Sequence, residues 1–126
     1  MRRVVRTPEA PAAVGPYSQG IAAAPFVWTA GQVGLDPATG KLVPGGIEAE
    51  SRRTLQNIQA ILASAGAGLE DVVKVTVFLT RMDDFAAMNR VYAEFFLDPP
   101  PARTTVAVQA LPAGALVEID ALAFRP

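Results

Sequence analysis

Segments of helical period set between segments of strand period constrain this chain more than any other feature. From Ile47 onward the apolar residues Leu55, Ile58, Leu62 and Ala65 recur every three or four positions, the spacing that lines one face of a helix. Glu48 and Glu50 suit its positive end, and Gly66 supplies a stop. Over Val72 to Leu79 the pattern changes to a strand, with Val73, Val75, Val77 and Leu79 on one side and Val72, Lys74, Thr76 and Phe78 on the other. Asp83 then caps a second helix with the stripe Phe85, Met88, Tyr92 and Phe95, closed by Pro99 to Pro101.

The remaining segments read as strands. One lies near Arg3 to Arg6, and a second over Phe26 to Val33 turns at Asp36 to Gly40 into Lys41-Leu42-Val43 as a hairpin. The last two, Thr104 to Ala110 and Leu116 to Phe124, are joined by Leu111 to Ala115. The order β-β-β-α-β-α-β-β predicts an α+β fold in which both helices cover one face of a mixed sheet. At 126 residues the chain has room for one domain, spanning 1–126. The uncovered face would carry Trp28, Phe78, Leu122 and Phe124 beside Thr76, Thr105 and Glu118, too apolar a set to face water. A homo-oligomer formed through that face is the expected remedy.

Composition narrows the chemistry. The chain contains no His and no Cys, which excludes disulfides, thiolate nucleophiles, Cys/His zinc sites and imidazole acid-base catalysis. A net charge of -1 offers no basic field for nucleic acid or acidic membrane, so a small ligand is the expected partner. The apolar stretch near Met1 is too short for a secretory core and no later run could span a bilayer. A cytoplasmic protein is therefore expected.

Three segments place polar groups on rigid backbone. The arm Gly15-Pro16-Tyr17-Ser18-Gln19 presents an aromatic hydroxyl, although this segment alone favours a turn with one packed Tyr. Gly31 interrupts the β-forming run Thr29-Ala30-Gly31-Gln32, which marks a bulge or a close backbone approach, to a ligand or otherwise. Arg103 follows three prolines at the start of a strand, a platform for a bidentate carboxylate clamp. Glu118 sits between Val117 and Ile119, where a carboxylate needs a partner or a function. Arg103 and Glu118 can be a catalytic pair or a structural ion pair. A simple hairpin about Ala113 sets Glu118 opposite Val108, on the order of 15 Å from Arg103. A site using both then requires another strand pairing or a neighbouring subunit.

The stretch Ala10 to Gln19, Gly31-Gln32, Val75 to Leu79, Asp84-Phe85 with Asn89, Pro101-Ala102-Arg103 and Val117 to Ala121 together resemble the RidA/YjgF family of reactive intermediate deaminases, over essentially the whole chain. The resemblance implies a chorismate-mutase-like α+β fold and a homotrimer with pockets at the subunit interfaces. It also implies hydrolysis of 2-enamine and 2-imino acids, such as 2-aminoacrylate, to 2-keto acids and ammonia. By the same resemblance Arg103 grips the substrate carboxylate, Glu118 holds the attacking water, and Tyr17, Ala30, Gly31, Asn89 and Thr105 line the pocket, with no metal or cofactor. Ala30 stands where many members carry Ser and Thr105 where many carry Cys, which bears on substrate preference. Lys41 and Lys74 are the only lysines and neither falls in a matched pocket segment, which argues against a Schiff base. The competing reading is a non-catalytic trimer that binds a small carboxylate and regulates a partner.

Overall fold

The two helical-period segments form α1 (Gly46–Ser64) and α2 (Phe85–Phe95) in the computed structural model, which describes residues 1–126. Both lie on one face of a six-stranded sheet built from β1 (Arg3–Val5), β2 (Gly20–Ala23), β3 (Phe26–Thr29), β4 (Val72–Leu79), β5 (Ala102–Ala107) and β6 (Val117–Phe124). The spatial order is β1-β2-β3-β6-β4-β5. Only β4 and β5 pair in parallel, and α2 supplies the crossover that such a pair needs. α1 makes the other crossover, from β3 to β4, and β6 inserts between those two strands.

Period decides what the sheet buries. Val75, Val77 and Leu79 of β4 and Val117, Ile119, Ala121 and Ala123 of β6 point into one core with Leu55, Ile58 and Leu62 of α1 and Met88, Val91 and Tyr92 of α2. The alternate residues face away from the helices. There Phe26 packs against Trp28 and Phe124 with ring centroids 5.6 and 5.4 Å apart, yet the three remain 36%, 43% and 42% exposed. The open apolar face expected from the sequence is therefore present, minus Thr105, which lies opposite Val77 on the helix side.

Other expectations shift. A strand over 41–43 does not form: the contact across Asp36 to Gly40 is one bridge, Leu35 to Leu42. The hairpin forms earlier, between β2 and β3 around Ala24-Pro25, where the sequence pattern predicts no strand between Arg6 and Phe26. In β4 a register shift between Val72 and Lys74 buries Val72 and turns Val73 outward, the reverse of strict alternation. Asp83 lies in a short 3-10 turn, Met82–Asp84, and Asp84 is the residue before α2. Most consequential, β5 and β6 do not form a hairpin. β4 lies between them, because a parallel β4-α2-β5 unit outcompetes pairing of chain neighbours.

Candidate functional site

The residues singled out in the sequence gather at two places. The first is built around a bulge. Trp28 pairs with Leu122, but Gln32 pairs with Ile119, so one extra residue sits on the β3 side. The Thr29 hydroxyl fills the gap by accepting the Ala121 N–H at 3.0 Å. Beyond it Gly31 lies against Glu118, and a Cβ at Gly31 would come within 2.9 Å of the Glu118 Cδ. The absent side chain is what lets the carboxylate lie there. Both readings of the glycine hold at once, bulge and close approach, although the group approached is a side chain of the same chain.

Tyr17, Gly31 and Glu118 line a cavity of about 100 Å³. Tyr17 also borders a wider, shallower cavity of about 580 Å³ with Ala30. The arm that carries Tyr17 is irregular but held. Gln19 is buried, accepts the Thr7 N–H through Oε1 at 2.7 Å, and donates through Nε2 to the carbonyls of Thr7, Ala10 and Pro11. Its backbone carbonyl accepts the Ala30 N–H at 2.8 Å. One buried amide thus locks the arm onto the bulge. Burial raises the Glu118 carboxyl above the usual carboxylate range, and the like charge of Asp120 raises it further. A carboxyl held in this way is a better proton acceptor when ionised than a free glutamate.

The second place lies on the helix side of the edge strand β5. Arg103 is opposite Val75, a core residue, and so points toward α2. Its guanidinium carbon stands 4.7 Å from the centroid of the Tyr92 ring and 5.6 Å from that of Phe85. It takes part in none of the ion pairs, which join Arg52 to Glu94, Arg81 to Asp84 and Arg125 to Asp71. Phe85, Asn89 and Tyr92 follow one another along one face of α2, and Thr105 follows Arg103 on the same face of β5. Asn89 Oδ1 and Thr105 Oγ1 are buried without a hydrogen-bond partner. Burial pushes the Tyr92 hydroxyl up to about 12, against the opposing pull of the Arg103 charge, so it stays a neutral phenol.

Within one chain the two places do not meet. Glu118 lies opposite Phe78 and Arg103 opposite Val75, in strands on either side of β4 and with side chains on opposite faces. The structural ion pair that the sequence left open is absent. Sequence reasoning also missed the aromatic seat of Arg103, because Phe85 and Tyr92 at helical spacing read as core. It missed Gln19 as a latch, because nothing local marks an amide as fully satisfied.

The result is a small α+β protein of the YjgF-like fold, carrying an unpaired guanidinium on one sheet face and a perturbed carboxylate on the other. The family model described as Endoribonuclease L-PSP matches residues 7–125. A RutC family protein of Pyrococcus horikoshii is 50% identical over 125 residues, covering 99% of both chains. The 2-iminobutanoate/2-iminopropanoate deaminase of Capra hircus is 47% identical over 125 residues, covering 99% of this chain and 91% of that one. The crystal structure of the YjgF gene product of E. coli superposes with a TM-score of 0.94 at 39% identity, covering 98% of this chain and 99% of that one. The chain belongs to the RidA/YjgF family.

Proposed function

We propose that this protein hydrolyses short 2-imino acids, and their 2-enamine tautomers, to 2-keto acids and ammonia, at sites formed between subunits of a homotrimer in the cytoplasm. The observation that carries the reading is the division of the polar groups. Arg103 offers guanidinium donors that no carboxylate of its own chain engages, and Glu118 offers a proton acceptor beside a small cavity on the opposite face. Each is half of a site, and the exposed aromatic face of the sheet supplies the reason to associate. The imine deaminase name of a relative at 47% identity supports the same chemistry.

The reaction asks little else of the protein. Arg103 holds the substrate carboxylate through paired N–H donors, which places the electrophilic C2 of the iminium near Glu118. Glu118 accepts a proton from water as its oxygen bonds to C2. Glu118 passes that proton to the carbinolamine nitrogen and then takes up the hydroxyl proton, so the C–N bond breaks, ammonia leaves and a C=O bond forms. Tyr17, Ala30, Gly31, Asn89 and Thr105 wall the pocket. The test is keto-acid release beside a pyridoxal-phosphate-dependent dehydratase that generates the enamine. Arg103→Ala should remove the acceleration, a loss on the order of 2–5 kcal/mol, and Arg103→Lys should recover little of it because the planar fork is gone. Binding of a 2-keto acid without any turnover would instead support a carboxylate-binding regulator. RNA cleavage without keto-acid release would overturn both.

A further inference from the structure

Arg103 is the second residue of an edge strand, and no carboxylate of its own chain orients its guanidinium. A side chain with that much rotamer freedom would lose it on binding an anion, which weakens the bound state unless the geometry is set beforehand. The three prolines before it fix the backbone and leave the side chain free. We infer that Tyr92 is the positioning residue of the clamp, its ring face setting the height and direction of the Arg103 guanidinium. This rests on the carboxylate-binding role given to Arg103 above.

Two features single out Tyr92 over its neighbours. Its ring is the nearer of the two, 4.7 Å against 5.6 Å for Phe85, inside the range where a cation is held over an aromatic face. It is rigid, being buried in the core and stacked at 4.6 Å on Phe96, whereas Phe85 is 39% exposed. Tyr92 lies on α2 and Arg103 on β5, so the contact also ties the clamp to the helix that carries Asn89.

The test measures binding of 2-oxobutanoate by calorimetry, apart from turnover, with thermal melts to confirm folding. Tyr92→Leu should weaken binding by about 3- to 30-fold, and Tyr92→Phe should restore most of that loss. Tyr92→Leu added to Arg103→Ala should weaken binding no further than Arg103→Ala alone, because Tyr92 acts through the guanidinium. Should Tyr92→Leu fail to fold, the half-exposed Phe85→Leu serves, with a smaller loss in the same direction and the same silence in the Arg103→Ala background. The Arg103 Nε–H resonance gives a reading without ligand, shifted by the ring current in wild type and in Tyr92→Phe. Wild-type affinity in the leucine variants, equal losses in Tyr92→Leu and Tyr92→Phe, or additive losses with Arg103→Ala would overturn the inference and leave the deaminase reading intact. Failure of the wild type to bind 2-oxobutanoate would remove the carboxylate role itself, and the inference with it.

Discussion

Arg103 and Glu118 stand on opposite faces of one sheet, in strands separated by β4 and offset by three residues along it. Their backbones are on the order of 14 Å apart at ordinary strand rise and spacing. No rotamer change brings a guanidinium through a packed sheet to a carboxylate behind it. If both act on one small molecule, they come from different subunits.

That separation predicts complementation. Chains carrying Arg103→Ala and chains carrying Glu118→Gln should each be inactive alone. Mixed after reversible dissociation, or co-expressed, they should regain about a quarter of wild-type activity, the share of interfaces that receive an intact Arg103 from one chain and an intact Glu118 from the other. Sedimentation should give about three times the 13.2 kDa chain mass. No recovery on mixing, with oligomers of mixed composition verified, would place the two residues in separate roles.

In the proposed reaction the Glu118 carboxyl must be ionised to accept a proton, and burial together with Asp120 holds its pKa above the usual range. Turnover should therefore fall as pH drops through that raised value. Asp120→Asn removes the like charge, so the acid limb of the kcat profile should move to lower pH. Glu118→Gln should remove the limb along with most of the rate. A limb that stays in place in Asp120→Asn would assign it to another group.

Gly31→Ala tests the bulge. The new Cβ would overlap the end of the Glu118 side chain, while no backbone atom stands among its nearest contacts. The fold should survive with a nearly unchanged melting temperature, but Glu118 must move. A displacement on the order of 1 Å at the proton acceptor costs about a hundredfold in rate. Near-normal kcat would mean that the carboxylate position seen beside Gly31 is not the working one.

Much of this was legible in the sequence where the signal is local. The stripe Leu55, Ile58, Leu62 and the alternation of Val75, Val77 and Leu79 predict α1 and β4 because each buries one face of one element. What failed was non-local. Thr104 to Ala110 and Leu116 to Phe124 are chain neighbours, and only the parallel pairing of β5 with β4 shows why they are not sheet neighbours. β2 was hidden because Gly20-Ile21-Ala22-Ala23 has little β propensity of its own and is held by β1 and β3 on either side. The site divides the same way. Arg103 and Glu118 stood out as charges in apolar or Pro-stiffened surroundings. Tyr92 did not, because an aromatic residue that seats a cation and one that fills a core have the same spacing.

Glu50 gives the last test, on stability. It is buried on α1, where its Oε1 accepts the Leu116 N–H at 2.8 Å and so ties down the start of β6. Burial raises its pKa, the Leu116 N–H partly offsets this, and the nearby Asp84 raises it again. The folded chain therefore holds a proton on Glu50 over a pH window where the unfolded chain has released it. In that window stability falls as pH rises, and above the raised folded pKa the full cost of the buried charge is present. Glu50→Gln keeps an oxygen for Leu116 and removes the charge beside Asp84. It should raise the melting temperature at neutral pH and flatten the decline between mildly acidic and neutral solution. Glu50→Ala removes the acceptor as well, and should destabilise by about 1–3 kcal/mol through the orphaned N–H. Thermal unfolding of the three proteins at two pH values decides it. A glutamine variant less stable than wild type at neutral pH would mean that the carboxylate has a counter-charge in solution, and that its burial is not the dominant effect.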